Sequence, residues 1–466
     1  MANAKTAPFP SLIVLDTPEQ LPVTLKLGWG IGAFGVAMLM NGISILIFFY
    51  LVAILKIEPA LAGTLIFISK IFDVFIDPFV GLWSDRIKSP RGRRRPFLFW
   101  GAFICAASFA IIFTSPIFDS EWMTATYVLV ALCIYAGGYT LFNIPYLAMP
   151  AEMTDNYHER SSIHAYRIVF VSLGSFLAAS VAPAVLERLG KTEPSSYATI
   201  GLVIAALIFV TMMACYLATA KARFTRGNAG ATRLSADVSA IVGNKLFLRL
   251  IGVKFAQLLG MQTTQAAMIF FVVQSLHLKL DIFVIFGIVT TITSVLVAPL
   301  MVRFSKRYGK RNTYYIAAAC NIAYSLSWSL AEPGEPNWAI ALRAFIVGIA
   351  VVGNVTMAMS MLTDIINLDA RRTGVRREGT YTAMYSFVEK LTAAFGPLII
   401  GFALSLAHFN NKLPPDVPQG GSVDTALLFA VSWLPTFFGF IAVWLLSGYK
   451  LSESDINNTP DMTAGV

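Results

Sequence analysis

Residues 70–86 read Lys70-Ile-Phe-Asp73-Val-Phe-Ile-Asp77-Pro78-Phe-Val-Gly81-Leu-Trp-Ser-Asp85-Arg86, and the basic loop Gly92-Arg93-Arg94-Arg95 follows. In a helix, this spacing places Lys70, Asp73 and Asp77 on one face. Charges inside an apolar span are costly in a bilayer and mark functional sites. Two carboxylates beside one cation can share a proton or hold a small cation, because their ionisations are coupled. The stretch therefore predicts a membrane helix with a functional polar face.

The composition excludes a soluble or disordered chain. Of 466 residues, 56% are hydrophobic and 13% are charged, and the mean hydropathy is +0.68. Soluble proteins carry about 25% charged residues. The formal net charge of +9 lies mostly in short loops between apolar segments, which argues against a nucleic-acid partner. The expected environment is a lipid bilayer.

Twelve segments are long enough to cross about 30 Å of hydrocarbon. The segment at 59–84 contains the three charges above, and the other eleven contain no Asp, Glu, Lys or Arg. Backbone polar groups find no water inside the bilayer, so each span must be a helix. We predict an all-α integral membrane protein with twelve transmembrane helices in two six-helix bundles. The other eleven segments are 27–55, 96–118, 122–151, 168–186, 194–220, 255–278, 282–302, 312–331, 344–363, 391–411 and 425–449.

Basic residues concentrate in the loops on one side of the predicted spans. They cluster around 86–95, 221–233, 303–311 and 371–377, whereas loops on the other side hold few cations. By the positive-inside rule, the basic loops and both termini are predicted to be cytoplasmic. No signal-peptide pattern is present at the N-terminus. The predicted location is the plasma (inner) membrane, with the chain crossing it several times.

The longest polar interruption, 221–246, divides the chain into two halves. A basic, glycine-bearing loop follows the second helix of each half: Gly92-Arg93-Arg94-Arg95 in the first and Tyr308-Gly309-Lys310-Arg311 in the second. Two repeated halves around a site at the midplane are typical of secondary transporters. The predicted parts are a cytoplasmic segment 1–26, a bundle 27–220, a cytoplasmic linker 221–246, a bundle 247–449 and a cytoplasmic tail 450–466.

Several motifs together resemble one group of transporters. The loop between helices 2 and 3 resembles the signature loop of the major facilitator superfamily. A set of motifs, in matching order and spacing, resembles the glycoside–pentoside–hexuronide:cation symporters, the melibiose-carrier group. The stretch 84–97 is also similar to the sucrose/proton members. The motifs are Asp73-x-x-x-Asp77-Pro78, Asn143-Ile-Pro145-Tyr146, Tyr166-Arg167 and Asp364…Thr373-Gly374-Val-Arg376-Arg-Glu378-Gly379 followed by Lys390.

The resemblance implies a cation site and a sugar site between the two halves. It implies cation binding by Asp73, Asp77, Thr140 and the helix 4 residue Asn143. It also implies that Arg167 and Lys390 lie near this site. The candidate substrate-binding residues are Lys70, Tyr139, Tyr146, Tyr166, Arg167 and Lys390. Two further charges, Lys254 and Arg343, lie near predicted helix ends and are expected at the membrane interface.

Departures from the melibiose carrier leave the substrate and the ion open. Val36 and Ala37 replace its Lys-Asp pair, Ile76 replaces an asparagine and Asn143 replaces an aspartate. Sodium requires about five or six oxygens by analogy with other hard cations, whereas a proton requires a single carboxylate. The smaller number of oxygen ligands favours H+ over Na+ as the coupling ion. Because the aspartates of the melibiose carrier are absent at positions 37 and 143, Arg167 and Lys390 have fewer acidic partners. The working hypothesis is therefore an anionic sugar, such as a hexuronide, as the substrate.

Charged residues beside two cytoplasmic loops predict a gate. Acids are interspersed with bases there, so ion pairs between them can latch the two halves in the outward-open state and break when the halves rock. Binding of lipid headgroups by the arginines is the alternative. The candidate gating residues are Asp85, Arg86, Arg94, Arg95, Asp364, Arg376 and Glu378.

The sequence does not favour an enzyme. It has no Walker loop, no Ser-His-Asp arrangement and no His/Cys cluster. No cofactor, resident metal or obligate protein partner is predicted; the coupling ion is H+ or Na+, and the partners are a sugar or glycoside and the bilayer. One alternative is a sodium-coupled carrier of lysophospholipids or other amphiphiles, since one branch resembling this group carries lipids. Another is a non-transporting sensor or scaffold, which the acids of helix 2 disfavour.

Overall fold

The computed structural model describes most of the chain. The predicted linker and tail, and the gating residue Arg376, fall wholly or largely outside the described residues. The side chains of Asp85 and Arg86 are likewise not described, nor are those of residues 151, 157, 158, 160, 161 and 221. The described ranges are 21–87, 89, 94–154, 157–222, 241, 243–375, 377–415 and 417–451.

Twelve long helices run through the described part of the chain, which contains no strand. Ten of them are long and apolar enough to cross a membrane; α2, with its three internal charges, and the less apolar α9 are the exceptions. The predicted all-α membrane fold is confirmed. The bounds are Val23–Ile54 (α1), Pro59–Arg86 (α2), Arg95–Phe113 (α3), Glu121–Met153 (α4), Tyr157–Phe176 continued by Leu177–Val181 and Ala182–Leu189 (α5), Pro194–Ala218 (α6), Lys245–Ser275 (α7), Ile282–Tyr308 (α8), Lys310–Ser327 (α9), Asn337–Thr373 (α10), Glu378–Leu406 (α11) and Gly421–Ser447 (α12).

Several helices are longer than the apolar segments predicted. α7 begins at Lys245 instead of 255, and α11 begins at Glu378 instead of 391. A search for apolar runs stops at the first charge, but a helix continues wherever its polar turns reach water or the space between helices. The charged residues in these added turns therefore belong to the transmembrane helices.

Helices pair in the same way in each half. In the first half α1 packs on α5 and α6, α3 packs on α4 and α6, and α2 packs on α4. The same scheme recurs six helices later, where α7 packs on α11 and α12, α9 packs on α10 and α12, and α8 packs on α10. We call α1–α6 the N bundle and α7–α12 the C bundle. Contacts of α2 with α11, α1 with α7 and α5 with α8 join the bundles.

Irregular backbone geometry also repeats between α1 and α7. Each helix ends in a five-residue π-helical turn, Tyr50–Ile54 and Phe271–Ser275. Two residues after each of these turns, the backbone adopts a left-handed conformation, at Lys56 with φ 59° and at His277 with φ 52°. Side chains rarely adopt such φ values, so the coincidence supports a duplicated structural unit.

The two bundles are held together at one end of the molecule. We call the end with the α2–α3, α8–α9 and α10–α11 loops the basic end, and the other the opposite end. At the opposite end, Lys56 Nζ donates to the Leu413 carbonyl at 3.0 Å, and Ser405 Oγ donates to Glu58 Oε1 at 2.7 Å. These hydrogen bonds join the α1–α2 region of the N bundle to the α11–α12 region of the C bundle.

Ion pairs at the basic end have a different distribution. Arg94 contacts Glu152 at 2.5 Å within the N bundle, and Lys310 contacts Asp364 at 2.6 Å within the C bundle. Each of these pairs, formed between two described side chains, stays inside one bundle. These two described ion pairs at the basic end thus join helices of one bundle, whereas the two hydrogen bonds at the opposite end join the bundles to each other.

Candidate cation and substrate site

Two carboxyl groups of α2 converge on one hydroxyl of α4. Thr140 Oγ1 lies 2.7 Å from Asp73 Oδ1 and 2.9 Å from Asp77 Oδ1. The four-residue spacing stacks the acids on one helix face, and Asp73 and Thr140 are buried. Three of the four predicted cation ligands are thus in contact, and their binding of a cation stays a prediction.

A cation from the other bundle completes this cluster. Lys390 of α11 places Nζ 3.0 Å from Asp73 Oδ2 and 2.5 Å from Asp77 Oδ2. The same ammonium lies 5.5 Å from the ring centre of Tyr139. Two ionised carboxylates this close repel each other, and the ammonium offsets the repulsion. The cluster therefore links α2 and α4 of the N bundle to α11 of the C bundle.

Lys70 makes no direct ion pair with the two acids. Its Nζ lies over the ring of Tyr135, 5.5 Å from the centroid, and Lys70 forms no ion pair with another described side chain. It interacts electrostatically with Asp73 from a greater distance, and its role in substrate binding stays a prediction. Helical spacing fixes the face on which a lysine lies, but the direction of its long side chain depends on neighbouring helices.

Asn143, the fourth predicted cation ligand, points elsewhere. Its Nδ2 donates to the Tyr139 hydroxyl at 3.0 Å. Its Oδ1 is buried and has no hydrogen-bond partner in the described structure. A buried acceptor without a donor is unfavourable, so this oxygen is suited to a ligand that donates a hydrogen bond. Asn143 and Tyr139 thus form a neutral polar edge beside the charged cluster.

α5 brings a guanidinium to the same region. Arg167 interacts electrostatically with Tyr139 and Tyr146, and its Nε is buried without a partner among the described residues. Because α5 begins at Tyr157, Arg167 lies well inside the helix. The neighbouring candidate Tyr166 is half-buried. Arg167 therefore belongs to the polar interior of the N bundle, close to the residues predicted to meet the substrate.

Tyr146 is a packing residue in this conformation. Its side chain is fully buried and stacks on Trp29 with ring centres 4.6 Å apart. The Tyr146 hydroxyl donates to the Trp29 carbonyl, and Trp29 Nε1 donates to the Tyr146 carbonyl, both at 3.2 Å. This reciprocal pair fixes α1 against α4. The geometry does not support the predicted contact of Tyr146 with substrate.

Sequence reasoning missed an ion pair in the C bundle. Lys254 is 5% exposed, and its Nζ lies 3.5 Å from Glu389 Oε1. Lys254 was expected at the membrane interface, but α7 begins nine residues earlier, at Lys245. A signal for this start was available: Asn244 is a favoured N-cap residue, and its side chain accepts from the first amides of the helix. Arg343, also expected at the interface, is buried and pairs with Glu335.

For three of the predicted gating residues, Arg94, Arg95 and Asp364, the structure gives contacts inside one bundle. Besides the Arg94–Glu152 and Lys310–Asp364 pairs, Arg95 donates to the Tyr216 carbonyl at 3.0 Å. Glu378 begins α11. The side chains of Asp85 and Arg86, and all of Arg376, lie outside the described residues. The latch was predicted for the outward-open state and stays a prediction.

Fold and site together define a class of protein. Two six-helix bundles related by an internal repeat meet at a buried charged cluster, and side chains of both bundles build that cluster. This is the architecture of secondary transporters, whose sites lie where the two repeats meet. The chain belongs to the MFS/sugar transport protein family, whose model matches residues 28–453.

The chain is similar over nearly its whole length to proteins named as carriers and transporters. It is 26% identical to the glucuronide carrier protein homolog of Escherichia coli, with 93% of this chain and 94% of that protein covered. It is 24% identical to the isoprimeverose transporter of Lactiplantibacillus pentosus, with 95% and 92% covered. The crystal structure of the nucleoside transporter NupG (D323A mutant) matches 91% of this chain with a TM-score of 0.62 at 16% identity.

These findings establish the general activity. The protein is a multi-pass membrane transporter and not an enzyme, and it belongs to the cation-coupled symporters of sugars and glycosides. Its substrate is of the sugar or glycoside class, and a cation drives its transport.

Proposed function

We propose that the protein is a proton-coupled symporter of carboxylated glycosides, with Asp73 and Asp77 carrying the coupling proton. The observation behind the proposal is the Thr140 hydroxyl between the two carboxyl groups, at 2.7 Å and 2.9 Å. A hydroxyl has one hydrogen, so it donates to one carboxylate and accepts from the other only if that group is protonated. Both short contacts are favourable when the pair of acids holds one proton.

The charges of the cluster favour the same state. With one proton, the two acids carry a single negative charge, which Lys390 balances from 3.0 Å and 2.5 Å. Without the proton, the two acids and Lys390 carry a net negative charge, which is costly in a buried site and which Lys70 offsets without pairing directly with either acid. A single proton therefore makes the cluster neutral and satisfies the Thr140 hydroxyl.

Sodium fits the cluster less well. Asp73, Asp77 and Thr140 carry five side-chain oxygens, but Lys390 pairs with one oxygen of each acid. The three oxygens that remain are about half of the five or six that a hard cation of this kind prefers. The Asn143 amide nitrogen is directed to Tyr139. A sodium ion would have to displace the ammonium from both acids, whereas a proton does not.

Arg167 favours an anionic sugar. Its buried Nε has no partner among the described residues, and guanidinium groups bind carboxylates through paired hydrogen bonds. A hexuronide offers such a carboxylate together with hydroxyl groups for Tyr139 and Asn143. The name of the relative described as a glucuronide carrier homolog points to the same class of substrate.

Coupling follows from the link between the bundles. Protonation of the acids weakens their attraction for Lys390, and this attraction is one of the contacts between α2 and α11. Proton binding and the rocking of the bundles are therefore energetically coupled. We assign the basic end and both termini to the cytoplasm by the positive-inside rule. With the bundles joined at the opposite end, the conformation is cytoplasm-facing.

The test is uptake of methyl glucuronide by purified full-length protein in proteoliposomes under an imposed proton or sodium gradient. We expect accumulation with the proton gradient and none from the sodium gradient alone. Asp77→Asn is expected to lower proton-driven accumulation about tenfold or more, because the amide cannot carry the proton or pair with Lys390.

The matched control is Asp281→Asn, the same change at an exposed residue outside the site, which is expected to behave as the unmodified protein. Accumulation that follows sodium and ignores pH would overturn the proton as the coupling ion. Transport of lysophospholipids without transport of any glycoside would overturn the substrate class and leave the amphiphile carrier as the explanation.

A further inference from the structure

A second polar cluster lies inside the C bundle, apart from the acids of α2. It consists of Lys254 and Gln257 on α7, Tyr314 on α9, and Tyr385 and Glu389 on α11, and we call it the Lys254 cluster. Lys254 Nζ is 3.5 Å from Glu389 Oε1 and 5.0 Å from the ring centre of Tyr385. Tyr314 donates through its hydroxyl to Gln257 Oε1 at 2.7 Å.

The hydrogen bonding of this cluster is incomplete. Tyr385 is 5% exposed, yet its hydroxyl is buried without a partner in the described structure. Lys254 is equally buried. Its ammonium has three hydrogens to donate, and Glu389 contacts the ammonium from one side. Buried polar groups are normally paired. The unpaired hydroxyl and the remaining ammonium hydrogens are therefore suited to a ligand.

Glu389 connects the Lys254 cluster with the space between the bundles. Its side chain is 48% exposed, and it directly precedes Lys390, whose ammonium reaches the N bundle. Glu389 also interacts electrostatically with Tyr139 of α4. A half-exposed carboxylate on α11, which packs against α2 of the other bundle, faces the interior opening, because exposure of a charge to lipid would be costly. A ligand between the bundles can therefore reach this carboxylate.

The chemistry of the cluster matches a sugar ring without a charge. A carboxylate accepts hydrogen bonds from adjacent hydroxyls, the ammonium and the Gln257 amide donate to hydroxyl and ring oxygens, and an aromatic ring packs against an apolar sugar face. Glu389 already balances the charge of Lys254, so the cluster does not require an anion. This distinguishes it from Arg167, whose buried Nε has no partner among the described residues and whose positive charge suits an anion.

We propose that the Lys254 cluster is the subsite for the neutral sugar unit of a two-ring glycoside, whose carboxylated ring lies on the Arg167 side. The inference rests on the proposed function, since it deepens the assignment of the substrate. In this proposal, Lys254, Tyr385 and Glu389 determine whether the transporter selects a substrate of one ring or of two. The transporter then prefers a uronosyl disaccharide to the corresponding simple uronide.

The experiment compares two probes in proton-driven proteoliposomes: glucuronosyl-glucose, which has two rings, and methyl glucuronide, which has one. Glu389→Gln is expected to raise the half-saturating concentration of the disaccharide about tenfold or more and to change that of methyl glucuronide less than about twofold. Tyr385→Phe keeps the ring and removes the unpaired hydroxyl, and a smaller loss confined to the disaccharide is expected. Lys412→Gln, in an exposed loop, is the control.

Equal losses for both probes, or no loss for either, would overturn the subsite and leave the proposed function intact. The same holds if the unmodified protein carries methyl glucuronide but not the disaccharide. If it carries neither probe under a proton gradient, the proposed function fails and the subsite fails with it. A purified Glu389→Gln variant that still accumulates methyl glucuronide is folded, so loss of folding cannot imitate the expected result.

Discussion

Thr140 has a central position in the site although it carries no charge. Its hydroxyl contacts both acids of α2, and its buried location excludes water as a substitute partner. The acids belong to one helix, the hydroxyl to a second and the Lys390 ammonium to a third. The protonation of Asp73 and Asp77 is therefore tied to the packing of three helices, which is a requirement for coupling an ion to a conformational change.

Replacement of Thr140 tests this role. Thr140→Val keeps the shape of the side chain and removes the hydroxyl, so both acids lose this hydrogen-bond partner. We expect the rate of proton-driven uptake to fall about tenfold, with an altered pH dependence, and Thr140→Ser to restore it in large part. Initial rates measured over a range of pH check the prediction.

The control for this prediction is Thr126→Val in the same helix, where the hydroxyl is exposed and donates to the Trp122 carbonyl at 2.8 Å. Its uptake rate should match that of the unmodified protein. A Thr140→Val variant with unchanged rate and pH profile would contradict a role for the hydroxyl in proton binding.

At the level of helices, the contact of α2 with α11 sets the height at which Lys390 meets the acids. A Cβ atom on Gly63 would lie 2.6 Å from the Pro397 carbonyl oxygen, and one on Gly401 would lie 2.4 Å from the Pro59 carbonyl oxygen. Only glycine permits these backbones to approach so closely. The two helices run antiparallel from this contact toward the basic end, which brings Lys390 beside Asp73 and Asp77.

Gly401→Ala is expected to open the α2–α11 contact at the opposite end, because the added methyl group meets backbone and not a movable side chain. The measurement is the rate at which a membrane-impermeant maleimide labels Ile57→Cys, a fully buried position at that end, from the outer side in intact cells. A destabilisation of the closed end by ~1.4 kcal/mol would raise that rate about tenfold.

Gly137→Ala supplies the comparison for this prediction. It makes the same substitution in α4, where the new Cβ would meet only Ile76, at 3.9 Å. Labelling of Ile57→Cys should be unchanged in this background. Equal labelling in the Gly401→Ala and Gly137→Ala backgrounds would show that the close contact does not hold the opposite end shut.

For the whole molecule, the repeat explains how one chain can adopt two conformations. The contacts that join the bundles come in equivalent pairs, α2 with α11 and α8 with α5, arranged around the α1–α7 contact. A rigid rocking of one bundle can therefore exchange closure at one end for closure at the other with little change inside each bundle. The ion pairs confined to single bundles at the basic end are compatible with such a movement.

A disulfide across the opposite end should prevent this movement. The Ala60 amide donates to Ser405 Oγ at 3.0 Å, so Ala60→Cys and Ser405→Cys lie within disulfide reach. We expect oxidation of the double variant to stop uptake almost completely, and a reductant to restore it. The readout is proton-driven glycoside uptake before and after each treatment.

Each single-cysteine variant treated with the same oxidant serves as the control, since it retains the four native cysteines. The single-cysteine variants should show the same glycoside uptake before and after oxidation. A cross-linked double variant that transports at the uncross-linked rate would mean that the opposite end need not open during transport.

Local patterns in the sequence were sufficient for the architecture and for part of the site. Hydropathy over about 20 residues identifies a membrane helix, and this predicted the all-α membrane fold. The repeated basic loop predicted the duplicated halves. The spacing of Asp73 and Asp77 placed both acids on one face of α2, and the resemblance added Thr140 as their neighbour. These features depend on residues close together along the chain or on motifs within one helix.

The partners of the charged side chains were decided by the tertiary structure. Lys390 forms the direct ion pairs with the acids because α11 approaches α2 at the level of Asp73 and Asp77. Lys254 is buried beside Glu389 because α7 starts earlier than its apolar run and packs on α11. Spacing along one helix specifies a face, but the rotation of neighbouring helices and the path of long side chains depend on packing among all twelve. That is why the charge partners, and with them the proposed subsite, emerge only from the folded molecule.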